Sequence, residues 1–164
     1  MKARTIVVNG VSKTYAMTGW RIGYLAAPEN VAKAISSFQS HSTSNPATPS
    51  QYAALAALSG DQECVEEMRR AFEERRDLMV ERLNRIDGIT CTVPRGTFYV
   101  FPNISGLGKP SLELASELLD RARIAVVPGI AFGADGNIRM SFADSAANLN
   151  KGLDRLEEYV KTLG

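Results

Sequence analysis

The sequence has few of the residues that usually carry metal binding, disulfide bonds or hydrolytic catalysis. It contains one histidine, His41, and two cysteines, Cys64 and Cys91, which do not form a CxxC pair. The cysteine pattern therefore argues against a disulfide framework. A lone histidine argues against a metal site and against a Ser-His-Asp arrangement. Two isolated cysteines are typical of a reducing, cytoplasmic setting.

The sequence also lacks a charge excess and a long apolar run. Its formal net charge is +1, from 19 basic and 18 acidic residues. The densest basic stretch, residues 69–76, is interleaved with glutamates, which is typical of a solvated helix face. A nucleic-acid binder normally shows a basic stripe, and the apolar run near the N-terminus is too short for a signal peptide or a membrane span. We therefore expect a cytoplasmic protein with neither a nucleic-acid nor a membrane partner.

Strand-like and helix-like patterns alternate along the chain. Its 164 residues allow one or at most two domains. The patterns predict a buried strand at 5–9, strands at 22–26, 90–92, 97–101, 125–127 and 138–142, a loop or hinge at 40–50, and helices at 28–38, 50–58, 61–86, 111–121 and 149–160. The alternation predicts an α/β (α+β) class in which helices pack on a small sheet.

Residues 10–23, with the sequence GVSKTYAMTGWRIG, form the most informative segment. They resemble the lysine-attachment signature of class I/II aminotransferases of PLP fold type I. That signature has a small, an apolar and a small residue before a lysine, an arginine eight positions later, and a small residue two beyond it. A nucleotide-binding P-loop does not fit, because Ser12 stands where the glycine before the lysine is required.

The resemblance implies roles for four residues of this segment. Lys13 supplies the primary amine that links covalently to pyridoxal phosphate (PLP), and it later acts as a general base. The small residues Gly10 and Ser12 let the bulky cofactor approach the backbone. Arg21 offers a planar fork of donors that suits the cofactor phosphate. Lys13, Ser12 and Arg21 are therefore the candidate cofactor-binding residues, and no metal is expected.

Two later segments extend the resemblance to the substrate. The segment 137–143, NIRMSFA, resembles the family's C-terminal Arg-x-Ser-Phe-Ala sequence. It implies that Arg139 holds the substrate α-carboxylate through a bidentate pair. The segment 96–102, GTFYVFP, resembles the strand that lines the substrate side of the pocket, which makes Phe98 a candidate substrate contact. A core position remains the alternative for Phe98, because strand aromatics are usually buried.

The resemblance covers essentially the whole chain and is nearest to the aspartate/prephenate type, but it extends only over the C-terminal part of such an enzyme. It implies that residues 1–30 belong to the large PLP-binding domain, residues 31–60 form a hinge and connecting helix, and residues 61–164 form the small domain. Since the family's other PLP contacts lie in a preceding portion, we expect the chain alone to be inactive. The strand at 5–9 would then be a sticky edge, and we expect residues 1–27 to be mobile, repacked or paired with another copy.

The expected activity is transfer of an amino group between an L-amino acid, with aspartate as a candidate, and a 2-oxo acid. Two alternatives remain open. The first is another fold type I enzyme, of the C–S lyase or aminocyclopropane-carboxylate synthase type. The second is a non-catalytic domain that self-associates as a homo-oligomer. The sequence selects neither the amino-acid substrate nor the oligomeric state.

Overall fold

The computed structural model describes residues 1–163, which divide into two compact units. The first unit is Met1–Glu67, and the second extends from Met68 onward. Both combine helices with small antiparallel sheets, which confirms the predicted mixed α/β class. Within the described residues, no helix has the length and apolar character needed to cross a bilayer.

The first unit contains a β-hairpin followed by helices. Its elements are β1 (Val7–Gly10), β2 (Gly23–Ala26), α1 (Glu29–Ser42), α2 (Thr48–Ser59) and the first turn of α3 (Glu63–Leu83). The hairpin is antiparallel, with Val7 opposite Ala26 and Gly10 opposite Gly23. A Cβ atom on Gly23 would lie 3.0 Å from the Asn9 carbonyl oxygen. Glycine at this position therefore lets the two strands close the base of the loop at residues 11–22.

The strand predicted at residues 5–9 is present as β1, but the prediction that it is buried is wrong. Val7 and Val8 are 53% and 77% exposed. Successive side chains of a strand point to opposite faces, so both faces of β1 are accessible. A hairpin of two strands cannot bury either face by itself.

The helices of this unit begin and end near the predicted positions. The helix predicted at 28–38 runs on to Ser42, so the predicted loop at 40–50 is reduced to residues 43–47. The helix predicted from residue 61 begins at Glu63, and Asp61, a residue type that favours the N-cap, precedes it. The Asp61 Oδ1 atom accepts a hydrogen bond of 2.9 Å from the Glu63 backbone N–H, as a capping side chain does. α3 ends three residues earlier than predicted, and Gly88 follows with a φ of +82° that favours glycine.

The second unit packs two helices and the end of α3 on a three-stranded sheet. Its further elements are β3 (Tyr99–Val100), α4 (Ser111–Glu117), β4 (Val127–Pro128), β5 (Ile138–Ser141) and α5 (Ala146–Lys161). The strand order is β3-β5-β4, and every pair is antiparallel. The predicted helix at 111–121 changes from α-helix to a π-helical turn at Leu118–Ala122.

A single apolar core holds this unit together. It joins α3, α4, β5 and α5 through side chains with almost no exposure, among them Leu83, Leu114, Ile138, Leu153 and Leu156. Each such side chain contributes about 1.5–3 kcal/mol when fully buried. β5 lies at the centre of the sheet above this core, so its half-buried residue Arg139 has a fixed backbone.

Candidate functional site

Lys13 lies in a turn of the loop that connects β1 and β2. Val11, two residues earlier, is fully buried and anchors the start of the loop. The Tyr15 N–H donates to the Val11 carbonyl at 3.2 Å, and the Met17 N–H donates to the Ser12 carbonyl at 3.1 Å. These bonds fold the backbone tightly around Lys13, whose side chain is exposed, while Ser12 is half-buried.

Arg21 belongs to the same loop. Its backbone is left-handed, with a φ of +52°, which is uncommon for a non-glycine residue. Its Nη1 atom donates a hydrogen bond of 2.9 Å to the Thr18 carbonyl, while the residue remains exposed. Because Gly10 and Gly23 pair at the base of the loop, the chain returns on itself between Lys13 and Arg21.

A contact with the segment before α3 stabilises this loop. The Tyr15 hydroxyl donates to the Gln62 Oε1 atom at 2.9 Å. The Gln62 Nε2 atom in turn donates to the carbonyls of Ala57 and Gly60 at 3.0 and 2.8 Å. Tyr15 therefore fixes the loop to the end of α2. No local pattern indicates this pair, since Tyr15 and Gln62 are 47 positions apart in the chain.

The donor set of the loop fits an aldehyde-bearing phosphate ester. It provides a primary amine at Lys13, a guanidinium at Arg21 and a hydroxyl at Ser12. Across residues 1–163, no group of three histidine, cysteine or acidic residues could hold a metal ion. Neither cysteine forms a disulfide, and burial raises the pKa of the Cys91 thiol, which makes it a poor nucleophile near neutral pH.

Arg139 lies between two aromatic rings of the second unit. Its guanidinium carbon is 4.3 Å from the centroid of the Tyr99 ring and 4.9 Å from that of the Phe132 ring. The Phe132 ring also packs edge-on against Phe101, with centroids 5.9 Å apart. None of the described carboxylates forms an ion pair with Arg139. The rings hold the cation without neutralising its charge.

Phe98 packs towards the core. Its ring centroid is 6.2 Å from that of Phe72 and 4.5 Å from that of Tyr99, and its carbonyl accepts a hydrogen bond from the Phe142 N–H at 2.9 Å. The ring is partly buried against the core cluster. Its contact with substrate stays a prediction.

The aromatic partners of Arg139 were missed by sequence reasoning. Tyr99 adjoins Phe98 in the segment 96–102. Its position beside Arg139 depends on the pairing of β3 with β5, in which Tyr99 lies opposite Ser141. Phe132 ends a 3₁₀ turn, Gly129–Phe132, that follows β4. Strand register and the direction of this turn bring the rings to the guanidinium, and neither is visible in a local pattern.

Known proteins resemble this chain closely. The family model "Aminotransferase class I and II" matches residues 1–156. An aspartate aminotransferase of Geobacillus stearothermophilus is 45% identical over 98% of the chain, and an aspartate/prephenate aminotransferase of Cereibacter sphaeroides is 48% identical over 95% of it. The crystal structure of the aspartate aminotransferase from Rhizobium meliloti superposes on 98% of the chain with a TM-score of 0.94 and 44% identity.

These matches define a fold type I enzyme fold, of which the chain corresponds to the C-terminal part. The chain belongs to the class I and II aminotransferase family. It spans about 42% of the length of the relatives named above. Enzymes of this family use PLP and act on amino acids and 2-oxo acids.

Proposed function

We propose that this chain carries the cofactor-attachment and carboxylate-binding residues of a PLP-dependent aminotransferase. The reaction transfers an amino group between an L-amino acid, with aspartate as the leading candidate, and a 2-oxo acid. One observation carries the proposal: Lys13 and Arg21 occupy one closed hairpin loop, in a chain that matches the family model almost throughout.

The residues of the first unit have distinct roles in this proposal. PLP, when bound, supplies the aldehyde that takes up the amino group and the ring that withdraws electrons from the reacting carbon. The Lys13 amine holds the cofactor covalently and, once displaced by substrate, moves the proton of the substrate Cα atom. Arg21 binds the phosphate through charge-assisted hydrogen bonds, and Ser12 assists it.

Arg139 has a separate role, which is to orient the substrate. A guanidinium binds a carboxylate through two parallel hydrogen bonds, which fixes the direction of the substrate as well as its position. The lack of an ion pair to a described carboxylate supports this role, because a neutralised arginine would have to break that pair first. The rings of Tyr99 and Phe132 limit the rotamers of the side chain.

We propose that the chain by itself does not transaminate. It spans 42% of the length of its relatives, and its first unit exposes large apolar side chains. Phe38 and Tyr52 are 78% and 70% exposed, and Val8 on the hairpin is similarly accessible. Extended exposed apolar surface is normally covered by further polypeptide. This supports a requirement for the part of the aminotransferase fold that the chain does not match.

We also propose a domain division, a cellular location and an association of like subunits. The division into residues 1–30 of the large domain, 31–60 as hinge and connecting helix, and 61–164 as the small domain follows the family pattern. A cytoplasmic location agrees with two cysteines that form no disulfide. Association of like subunits agrees with the exposed apolar surface of the first unit.

A chimera tests the proposed function. The chain would be fused behind the portion of the Geobacillus stearothermophilus aspartate aminotransferase that it does not match, and assayed with aspartate, 2-oxoglutarate and PLP. The expected result is transamination that is abolished by Lys13→Ala and retained by Lys33→Ala, a change at an exposed lysine of α1. The chain alone should not exceed free PLP. A folded chimera that binds PLP without transaminating, or one that is unaffected by Lys13→Ala, would refute the proposal.

A further inference from the structure

Ser111 is a fully buried polar residue at the start of α4. Its hydroxyl donates a hydrogen bond of 2.6 Å to the Oδ1 atom of Asp135 and accepts one of 3.1 Å from the Ile130 N–H. The Ser111 backbone N–H donates to the same Oδ1 atom at 2.9 Å. One serine and one carboxylate thus join α4, the Gly129–Phe132 turn and the segment before β5.

The turn held by Ser111 has little freedom of its own. The Gly129 N–H donates to the Asn137 carbonyl at 2.8 Å, and the Gly129 carbonyl accepts from the Ala134 N–H at 3.0 Å. A Cβ atom on Gly129 would lie 2.1 Å from the Ala134 carbonyl oxygen. The first two residues of the turn are therefore fixed, by close packing at Gly129 and by the hydroxyl of Ser111 at Ile130. Just beyond Phe132, the Gly133 N–H donates to the Ile130 carbonyl at 3.0 Å and closes the turn.

Phe132 ends this turn and connects it to Arg139. Its ring is 51% exposed, so core packing contributes little to its position. Its ring contacts both the Arg139 guanidinium and the Phe101 ring. The guanidinium has no ion pair to a described carboxylate, so aromatic contacts orient it, and one of the two rings is set by the turn.

We propose that Ser111 and Asp135 are positioning residues for Arg139, which act through the Gly129–Phe132 turn and the ring of Phe132. The inference rests on the proposed role of Arg139 in binding the substrate carboxylate. An arginine that is already held in one rotamer loses less conformational entropy when a ligand binds. The pair therefore increases the affinity for carboxylate without contacting it.

A simple capping role for Asp135 makes a different prediction, and Asp144 provides the matched comparison. At the start of α5, Asp144 accepts a hydrogen bond of 2.7 Å from the Ser145 N–H and one of 2.9 Å from the Asn148 side-chain amide. Both aspartates therefore fix the start of a helix through similar bonds. Only Asp135 is joined through a hydroxyl to the turn that carries Phe132.

The test is an NMR measurement on the full chain. The Nε–Hε resonance of Arg139, assigned by its loss in Arg139→Lys, reports the ring currents of Tyr99 and Phe132. We expect Ser111→Ala and Asp135→Asn to move this resonance towards the value of an unstacked arginine, and Phe132→Leu to move it in the same direction. Asp144→Asn should leave it in place, and Ser111→Thr, which retains the hydroxyl, should preserve most of the shift.

A succinate titration of the same proteins measures the consequence for binding. Release of one ordered side chain corresponds to about a threefold to tenfold loss of affinity, which we expect for Ser111→Ala and Asp135→Asn but not for Asp144→Asn. If folded Ser111→Ala and Asp135→Asn leave both the Arg139 resonance and the affinity unchanged, the positioning role is overturned. If Ser111→Ala does not fold, Ser111→Thr and Asp135→Asn decide the question.

Different outcomes would contradict the carboxylate role of Arg139 and the positioning role of Ser111 and Asp135. If the Arg139 resonance responds as expected while even the unaltered chain does not bind succinate, the positioning role stands and the carboxylate role of Arg139 fails. If succinate binds through Arg139 and Phe132→Leu has no effect on the resonance or the affinity, the carboxylate role stands and the proposed route through Phe132 is wrong.

Discussion

At the scale of single residues, Arg139 is the cation that we propose binds the substrate carboxylate. Its guanidinium contacts two aromatic rings and no described carboxylate. Arg139→Lys keeps the charge but loses the planar pair of donors. We expect this change to weaken binding of succinate about tenfold and to lower the free energy of unfolding by about 1 kcal/mol at most. Arg123→Lys, at an exposed arginine of the same unit, is the control and should change neither quantity.

The carboxyl group of Asp135 gives the stability a predictable dependence on pH. Hydrogen bonds from the Ser111 hydroxyl and backbone N–H lower its pKa in the folded chain. A group with a lowered folded pKa stabilises the fold above its unfolded pKa, about 3.9 for aspartate, and that contribution is lost as the pH falls through the folded value. Urea unfolding at pH 6 and pH 3 should therefore show a larger loss of stability for the unaltered chain than for Asp135→Asn. Equal losses would contradict this assignment.

Residue spacing indicates chemistry in this chain but not the contacts around it. Lys13 and Arg21 lie in one short segment, so their spacing could be recognised from the sequence without knowledge of the fold. The pairing of β1 with β2 places both residues in one loop. The contacts of Tyr99 and Phe132 with Arg139 depend on strand register. The bond between Ser111 and Asp135 joins residues 24 positions apart, and no periodic pattern reports such a pair.

At the scale of elements, the Gly129–Phe132 turn is the feature most sensitive to backbone change. A Cβ atom at Gly129 would lie 2.1 Å from one carbonyl oxygen and 2.2 Å from another. Gly129→Ala should therefore lower the free energy of unfolding by about 3 kcal/mol or more. Gly152→Ala is the matched control, because this helical glycine of α5 has open space around it. It should stabilise the chain by about 0.5–1 kcal/mol. Similar effects of the two substitutions in thermal or urea unfolding would contradict the packing described for the turn.

The elements that could be predicted are those with a long apolar period. α3 and α5 bury one face at helical spacing, as with Leu149, Leu153 and Leu156, and both were expected. The bounds of the short strands were harder to predict. β3 and β4 contain two residues each, and each is a strand only because it pairs with β5, which lies between them. The burial of β1 was wrongly predicted, because β-branched residues indicate a strand but not what covers it.

At the scale of the whole molecule, the two units differ in how much apolar surface they bury. In the first unit the buried side chains are few, chiefly Val11, Ser50 and Ala54, whereas the second has a continuous core. We expect hydrogen exchange to be fastest in β1 and β2 and slowest in β5 and α5, because local opening costs least where little is buried. Strong protection of residues 1–27 in a proven monomer would contradict this expectation.

The family relationship gives this difference a physical meaning. The chain superposes on the Rhizobium meliloti aspartate aminotransferase with a TM-score of 0.94 and covers 42% of that chain. Its second unit has the core expected of a self-sufficient fold, whereas its first unit holds the lysine loop on a hairpin with both faces exposed. The proposed cofactor attachment therefore resides in the unit that buries fewer side chains, and the proposed carboxylate site at Arg139 resides in the other.

The central claim, that Lys13 is the PLP-binding lysine, is tested most directly by reduction with borohydride in the presence of PLP, followed by mass mapping of the full chain. Lys33, which is exposed and paired with Glu29, serves as the internal reference. Attraction of the phosphate by Arg21 is worth about 1 kcal/mol at an exposed site, so we expect the pyridoxyl group on Lys13 about fivefold more often than on Lys33, with Arg21→Gln removing most of the preference. Labelling spread evenly over Lys13, Lys33 and the other exposed lysines would contradict the claim.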